Sequence, residues 1–382
     1  MGQDAKHIIA QVESLPELIR DEFDTLDMRV RKLLNHNECL SVKRVVITGC
    51  GDSHMAGLAT ELAFEQIAGI PTEPMTAMQA GRYGTPHFEK LFPRNPLVIG
   101  ISVSGTVART REAVALARKE GALTIAITAN PEAPLASAAE RVFDCTVPDF
   151  APAPGIRSYR VSLLVLYLLA IRLAEVNGRL TQAEASAMRE QLKGTADAIE
   201  ATIGATKERA KDLAAAVADE TNFVFVGDGP NYATALFSAA KVIEAAGRHS
   251  MGQDTEEWAH LQYFVNTNPS TPTFIISPNQ RGHGRATELV DVMKRIGRTV
   301  IGVVPEGETE IAPRADWVLP VVGDVSEVFS PMVYPVAGEL FSGYLSQAVG
   351  EPPFRAFADI YAPQGITIRN SAVVDDAVSR RS

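Results

Sequence analysis

The stretch Ile99-Gly100-Ile101-Ser102-Val103-Ser104-Gly105-Thr106, continuing as Val107-Ala108-Arg109-Thr110, carries a strand, a turn and a helix start in succession. Pro96 to Ile101 is an apolar run that reads as a buried strand. Ser102, Ser104, Gly105 and Thr106 form the turn, and Val107 to Glu120 places apolar residues at helical spacing. Such a junction suits an anion. The first helical turn has N–H groups without partners, the helix dipole favours negative charge, and serine and threonine add short donors. The stretch has neither the lysine of a P-loop nor a G-x-G-x-x-G, which points to one phosphate on a small molecule rather than to a triphosphate or dinucleotide. Taken alone, it is equally readable as a plain N-cap with spare hydroxyls.

The same pattern recurs on either side. Lys43 to Gly49 is a strand that turns through Cys50-Gly51-Asp52-Ser53 into a helix from Met55 to Ile67, with Ser53 expected as its N-cap. Pro71 to Met75, Leu97 to Ile101, Leu123 to Thr128 and Arg141 to Val147 read as further strands separated by helices. That alternation predicts an α/β chain with a parallel sheet and right-handed crossovers. Turns at the carboxyl ends of such strands are where ligands sit. Upstream, His7 to Leu34 forms two helices, the second started by Pro16. Downstream, Asp149 to Gly155 is a loop and Ser158 to Asn177 an apolar helix. Thr181 to Ala218 is a long helical connector. The alternation then restarts: strand Asn222 to Val226, turn Gly227-Asp228-Gly229-Pro230, helix Tyr232 to Ala246. Strands at Thr273 to Ser277, Thr299 to Val304 and Trp317 to Val322 follow, then the helix Pro331 to Val349 and a tail ending in the strand-like Ile366-Thr367-Ile368. The chain is thus a weak internal duplication. The second counterpart of Ile101–Thr106 is Ile276-Ser277-Pro278-Asn279-Gln280-Arg281, where proline removes a donor and the hydroxyl run is lost. One phosphate site is expected, in the first half.

Composition narrows the function. The 382 residues suit two domains; 46% are hydrophobic and 21% charged, as in soluble globular proteins. A formal net charge of −10 without a long basic run gives nucleic-acid binding no support. Cys39, Cys50 and Cys145 are widely spaced, which argues against disulfides or a zinc site and fits a reducing cytoplasm. The charged N-terminus is no signal peptide, and the apolar run Val161 to Ile171 is too short to cross a bilayer. No His/Asp/Glu cluster has metal-ligand spacing in sequence, so neither metal nor cofactor is expected. His283, between glycines, is expected in a mobile loop, and His54 only to pack beside Ser53.

Gly-Cys-Gly-Asp-Ser (49–53), Ser-Val-Ser-Gly-Thr (102–106), Ile-Arg-Ser-Tyr-Arg (156–160), Ala-Leu-Phe-Ser-Ala-Ala-Lys-Val-Ile-Glu (235–244) and Glu-Glu-Trp-Ala-His (256–260) occur in this order across the duplicated chain. In this the chain resembles the sugar isomerase (SIS) domain family, most closely the two-domain isomerase module of glutamine–fructose-6-phosphate aminotransferases, from about Val45 to Ile368. The resemblance implies two SIS domains, each a parallel sheet flanked by helices in a flavodoxin-like three-layer sandwich. The corresponding division is an arm at 1–40, a first SIS domain at 41–180, a connector at 181–218, a second SIS domain at 219–350 and a tail at 351–382. It also implies a phosphosugar held by Asp52, Ser53, Ser102, the Val103 backbone, Ser104, Thr106 and Ser158. The family pattern Ser-x-Ser-Gly-x-Thr places threonine at position 107, where this chain has Val107; Thr106 stands one position earlier.

By the same resemblance Glu244 moves a proton between C1 and C2 of an open-chain sugar. His260 assists ring opening from a neighbouring subunit, and Lys241 completes the candidate catalytic set. A homodimer follows. Carboxylate and imidazole are apt for proton transfer at neutral pH. Read from spacing alone, Lys241 and Glu244 are also a plain helix ion pair and His260 a core or capping residue. Gln364 falls where the aminotransferase has its Schiff-base lysine, and an amide cannot form an imine; it is expected only to line the substrate. Because the chain opens on an ordinary helix, glutaminase activity is not expected. The implied reactions are aldose–ketose isomerisation, amino-sugar-phosphate deamination, or deglycation of a fructosamine phosphate. A phosphosugar-binding regulator is the non-enzymatic alternative.

Overall fold

Val45–Gly49, Leu97–Ile101 and Leu123–Thr128 are buried along their whole length. Strands with no solvent-facing side belong at the centre of a parallel sheet covered by helices on both faces. The computed structural model, which describes residues 4–89 and 93–354, places them there. In chain order the elements begin with α1 (Ala5–Glu13), α2 (Leu15–Leu33), α3 (His36–Ser41), β1 (Val45–Gly49), α4 (Asp52–Ala63), β2 (Thr72–Thr76) and β3 (Leu97–Ile101). Next come α5 (Ala108–Lys119), β4 (Leu123–Thr128), α6 (Pro134–Ala138), β5 (Arg141–Asp144), α7 (Ile156–Val176) and α8 (Gln182–Ala216). The remainder is β6 (Asn222–Gly227), α9 (Pro230–Ala246), β7 (His249–Gln253), α10 (Thr255–His260), β8 (Pro272–Ile276), α11 (His283–Arg295), β9 (Thr299–Pro305), β10 (Trp317–Val321) and α12 (Pro335–Val349).

Chain contacts divide these elements into two units. The first comprises Asp21–Asp149 and Ser158–Lys193. The second holds the chain up to Arg20, Phe150–Arg157 and the residues from Gly194 onward. One break between the units falls between Lys193 and Gly194, within α8.

The first unit's sheet runs β2-β1-β3-β4-β5, all parallel. The direction of winding reverses between β1 and β3, so the crevice at their carboxyl ends is the topological switch point. The second unit's sheet runs β7-β6-β8-β9-β10, also parallel, and its switch lies between β6 and β8. The duplicated α/β fold expected from the sequence is present as two five-stranded sheets flanked by helices.

Three local readings are corrected. β7 is a strand that the residues His249-Ser250-Met251-Gly252-Gln253 do not announce; they lack β-branched side chains and include a glycine. The segment becomes a strand by pairing with β6 from Asn222↔His249 to Val226↔Gln253, and on a sheet edge that ladder outweighs propensity. α4 begins at Asp52, with Gly51 (φ 56°) as its N-cap and no side-chain cap, so Ser53 lies inside the first turn rather than capping it. β5 ends at Asp144, short of Val147. Pro16 is the second residue of α2, as expected. Gln364 and the strand-like segment 366–368 lie outside the described residues.

Candidate functional site

The last register pair between β1 and β3 is Gly49↔Ile101. The two hydroxyl-bearing turns that follow, Cys50–Ser53 and Ser102–Thr106, therefore leave the sheet side by side at the switch point. Gly49 is needed there. A Cβ at this position would stand 2.6 Å from Ser53 Cβ and 3.1 Å from the Ile101 carbonyl oxygen. The chain turns back onto its own sheet closely enough that Ser53 covers residue 49.

The Ser102–Thr106 loop is fastened through its backbone. Ser102 N–H donates to the Ile127 carbonyl at 3.1 Å, and the Val103 carbonyl accepts from Ala129 N–H at 2.9 Å and from Thr128 Oγ1 at 3.2 Å. Any contact of the Val103 backbone with an anion thus falls to its N–H. Gly105 turns the chain with φ 67°, and its N–H closes a turn on the Ser102 carbonyl at 2.9 Å. The side chains are left for another purpose. Ser102 Oγ is buried without a hydrogen-bond partner. Ser104 and Thr106 are exposed, with their hydroxyls 3.0 Å apart. Thr106 therefore presents a hydroxyl beside Ser104. Val107 is the extended N-cap of α5 and supplies no side-chain cap. A buried hydroxyl without a partner beside an uncapped helix start forms an unfilled donor set. Asp52 and Ser53 in the first turn of α4, and Ser158 in the first turn of α7, belong to the same unit. Ser158 is half-buried, and its carbonyl accepts from Ser162 Oγ at 2.9 Å. Burial holds the His54 pKa below the usual histidine value, which favours the neutral ring.

In the second unit, Lys241 and Glu244 share one face of α9. The Lys241 side chain is only 1% exposed; its ammonium donates to Glu244 Oε2 and lies 4.8 Å from the centre of the Phe237 ring. A buried ammonium needs a compensating charge, and the half-buried Glu244 carboxylate supplies one. His260 ends α10 with a side chain 75% exposed, and its nearest carboxylate is that of Glu256 at 3.8 Å. Glu256 and Glu257 occupy the first turn of α10, as charge alone would place them. The structure thus joins Lys241 to Glu244 and pairs His260 with Glu256.

Two groups went unread in the sequence. Asp228 holds the turn after β6 by accepting from Thr255 N–H and Oγ1, both at 3.0 Å, and burial pushes its carboxyl above the usual range. Its signal was the Gly-Asp-Gly turn, in which Gly229 is the N-cap of α9 as Gly51 is of α4, so that Asp228 stands where the first unit's turn has Cys50. His283 is buried as the first residue of α11, not carried on a mobile loop. Among the described residues His283, Glu308 and Glu310 place their side-chain donor atoms within 4.8 Å of one another. Spacing could not disclose this grouping, because the histidine and the glutamates follow different strands.

Residues 40–172 match the SIS domain. Over 353 residues the chain is 27% identical to the isomerizing glutamine–fructose-6-phosphate aminotransferase of Gloeobacter violaceus, a match that covers 90% of this chain and 56% of the relative. The corresponding aminotransferase of Thermococcus kodakarensis is 25% identical over 352 residues, covering 91% of this chain and 55% of its own. The chain thus spans about half the length of the curated relatives it matches. Two solved structures share its fold. The C-terminal domain of glucosamine-fructose-6-phosphate aminotransferase from Francisella tularensis has a TM-score of 0.75 at 18% identity, over 90% of this chain and 96% of that one. Glucosamine-6-phosphate deaminase from Thermotoga maritima has a TM-score of 0.63 at 21% identity, over 90% and 94%.

Proposed function

We propose, from the premise that this chain carries a SIS domain and is homologous to glutamine–fructose-6-phosphate aminotransferases, that it is a phosphosugar isomerase acting on a hexose or aminohexose 6-phosphate. The observation that carries this reading is the buried Ser102 hydroxyl, left without a partner at the switch point of the first sheet beside the uncapped start of α5. A phosphate monoester dianion there accepts from the Ser53, Ser102, Ser104 and Thr106 hydroxyls and from N–H groups of the first helical turn, with Asp52 and Ser158 lining the sugar. Charge-assisted hydrogen bonds of this kind are about twice as strong as neutral ones.

Glu244 is the assigned proton carrier. As an ionised carboxylate it takes the proton from one of the first two carbons of the open chain and returns it to the other through an enediol or enolamine. Lys241 holds that carboxylate in place. His260, exposed at the end of α10, assists ring opening from the partner subunit of a homodimer. Support for that assembly comes from the apolar run that follows it, in which Leu261, Tyr263, Phe264 and Val265 are all exposed. Deaminase and deglycase chemistry uses the same groups and differs in what leaves the carbon.

The test is turnover of fructose 6-phosphate, glucosamine 6-phosphate and fructosamine 6-phosphates by the native chain and by Glu244→Gln. Loss of turnover in the variant is expected, and the substrate turned over names the reaction. Unchanged turnover would remove Glu244 from the mechanism. Thermal stabilisation by phosphosugars with no turnover of any would make the chain a binding protein.

A further inference from the structure

We propose that His283, Glu308 and Glu310 form a binding site for a divalent first-row transition metal ion of the zinc class, which clips the start of α11 to the loop after β9. An imidazole with two carboxylates is a nitrogen–oxygen set suited to such ions. The spacing fits. His283 Nε2 lies 2.9 Å from Glu310 Oε2 and 3.6 Å from Glu308 Oε1. Ligands at ~2.0–2.2 Å from a tetrahedral ion stand roughly 3.3–3.6 Å from one another; the three donors lie within 4.8 Å, and movement of the exposed Glu310 side chain closes the shell.

The supporting contacts aim the donors. Ser277 Oγ lies 3.0 Å from His283 Nδ1, so in the metal-bound form it can accept an Nδ1–H and leave the Nε2 lone pair for the ion. Metal-bound histidines are oriented by this kind of second hydrogen bond. Without a cation Nε2–H donates to Glu310 Oε2 at 2.9 Å; an ion takes the place of that proton between the ring and the carboxylates. Glu308 is held rigid by the backbone N–H groups of Glu310, Ile311 and Ala312, at 2.5, 2.9 and 2.7 Å. Its side chain is 1% exposed, whereas that of Glu310 is 56% exposed. The site is therefore fixed on one side and open to solvent on the other, giving the ion an entry path and room for water as further ligands.

Its position adds meaning to the duplication. Ser277 N–H donates to the Val303 carbonyl at 3.1 Å, as Ser102 N–H does to Ile127 in the first unit. The two serines are thus structural counterparts. Ser102 keeps its hydroxyl unbonded, while Ser277 spends its hydroxyl on His283. The edge that suits an anion in one unit suits a cation in the other. His283, Glu308 and Glu310 have no part in the proposed reaction, so the ion's role is to hold the start of α11 to the loop after β9.

Cobalt(II) is the probe, added to chelator-treated full-length protein and followed by equilibrium dialysis and visible absorption. One bound ion per chain is expected, with a d–d band, and a melting temperature that rises with metal. Glu310→Gln and His283→Gln are expected to abolish the band and the metal-dependent rise. Ser277→Ala is expected to weaken binding ~10–100-fold by freeing the ring. The metal-free melting temperature of Glu310→Gln controls for folding, since Glu310 is largely exposed. A native chain that binds no cobalt(II), or binding and a band unchanged in Glu310→Gln and His283→Gln, overturns the proposal.

Discussion

Ser102 is the residue at which burial and function pull apart. A buried hydroxyl without a partner costs the fold about 1–3 kcal/mol. Ser102→Ala is therefore expected to leave the melting temperature unchanged or raised. In the proposed site the same change removes a bond to a dianion, about 1.5–3 kcal/mol, and weakens hexose 6-phosphate binding roughly 10–100-fold. Calorimetric titration beside a thermal melt reads both effects, and a variant that melts lower and binds normally would assign Ser102 to the fold alone. Glu244 is tested by kinetics. Glu244→Gln keeps the shape of the side chain, so kcat is expected to fall ~10²–10⁴-fold with little change in KM. The hydroxyl loop was legible because its residues are consecutive. The partnerless state of Ser102 was not, since it depends on what β4 and its loop leave uncovered.

At the scale of the element, the loop between β3 and α5 depends on Gly105. Its φ of 67° disfavours any L side chain, and an added Cβ would stand 2.4 Å from Ala133 Cβ. Gly105→Ala is expected to cost about 1–3 kcal/mol in denaturant unfolding and to weaken phosphate binding with it. A second element-scale prediction concerns Glu175 on α7. Arg189, Arg172 and Arg31 place guanidinium nitrogens 3.0, 3.2 and 3.6 Å from its carboxylate. Burial alone would raise its pKa, but the hydrogen bond from Arg189 and the charges around it outweigh burial and hold it below the ordinary value of 4.5. The folded chain thus binds this proton less readily than the unfolded chain. The stabilisation is present above about pH 4.5 and is lost as pH falls through the lower folded value. Unfolding free energy measured from neutral to acid pH is expected to fall less steeply in Glu175→Gln. An identical slope would mean that the arginines contribute nothing there. The helices of this cluster were readable from periodicity; the pairing of α7 with α2 was not, because Arg31 and Glu175 lie far apart in sequence.

For the whole molecule, the proposed homodimer is tested by sedimentation. The native chain is expected to be a dimer and Phe264→Glu, which puts a charge on a side chain 71% exposed, a monomer. A native monomer at micromolar concentration would leave His260 no partner subunit to serve. No helix among the described residues is long and apolar enough to cross a membrane. The sequence by itself determined the α/β class, nine of the ten strands among the described residues, the duplication and the hydroxyl loop, because each is written in short-range patterns: continuous apolar runs, helical spacing, hydroxyls next to glycine. Tertiary structure alone decided that His249–Gln253 is a strand, that Ser102 stays unbonded while Ser277 is engaged, and that His283 meets Glu308 and Glu310. Each of these depends on hydrogen bonds or side-chain approaches set by how the strand ends, turns and helix starts are brought together, and chain spacing carries no record of which strand ends lie side by side.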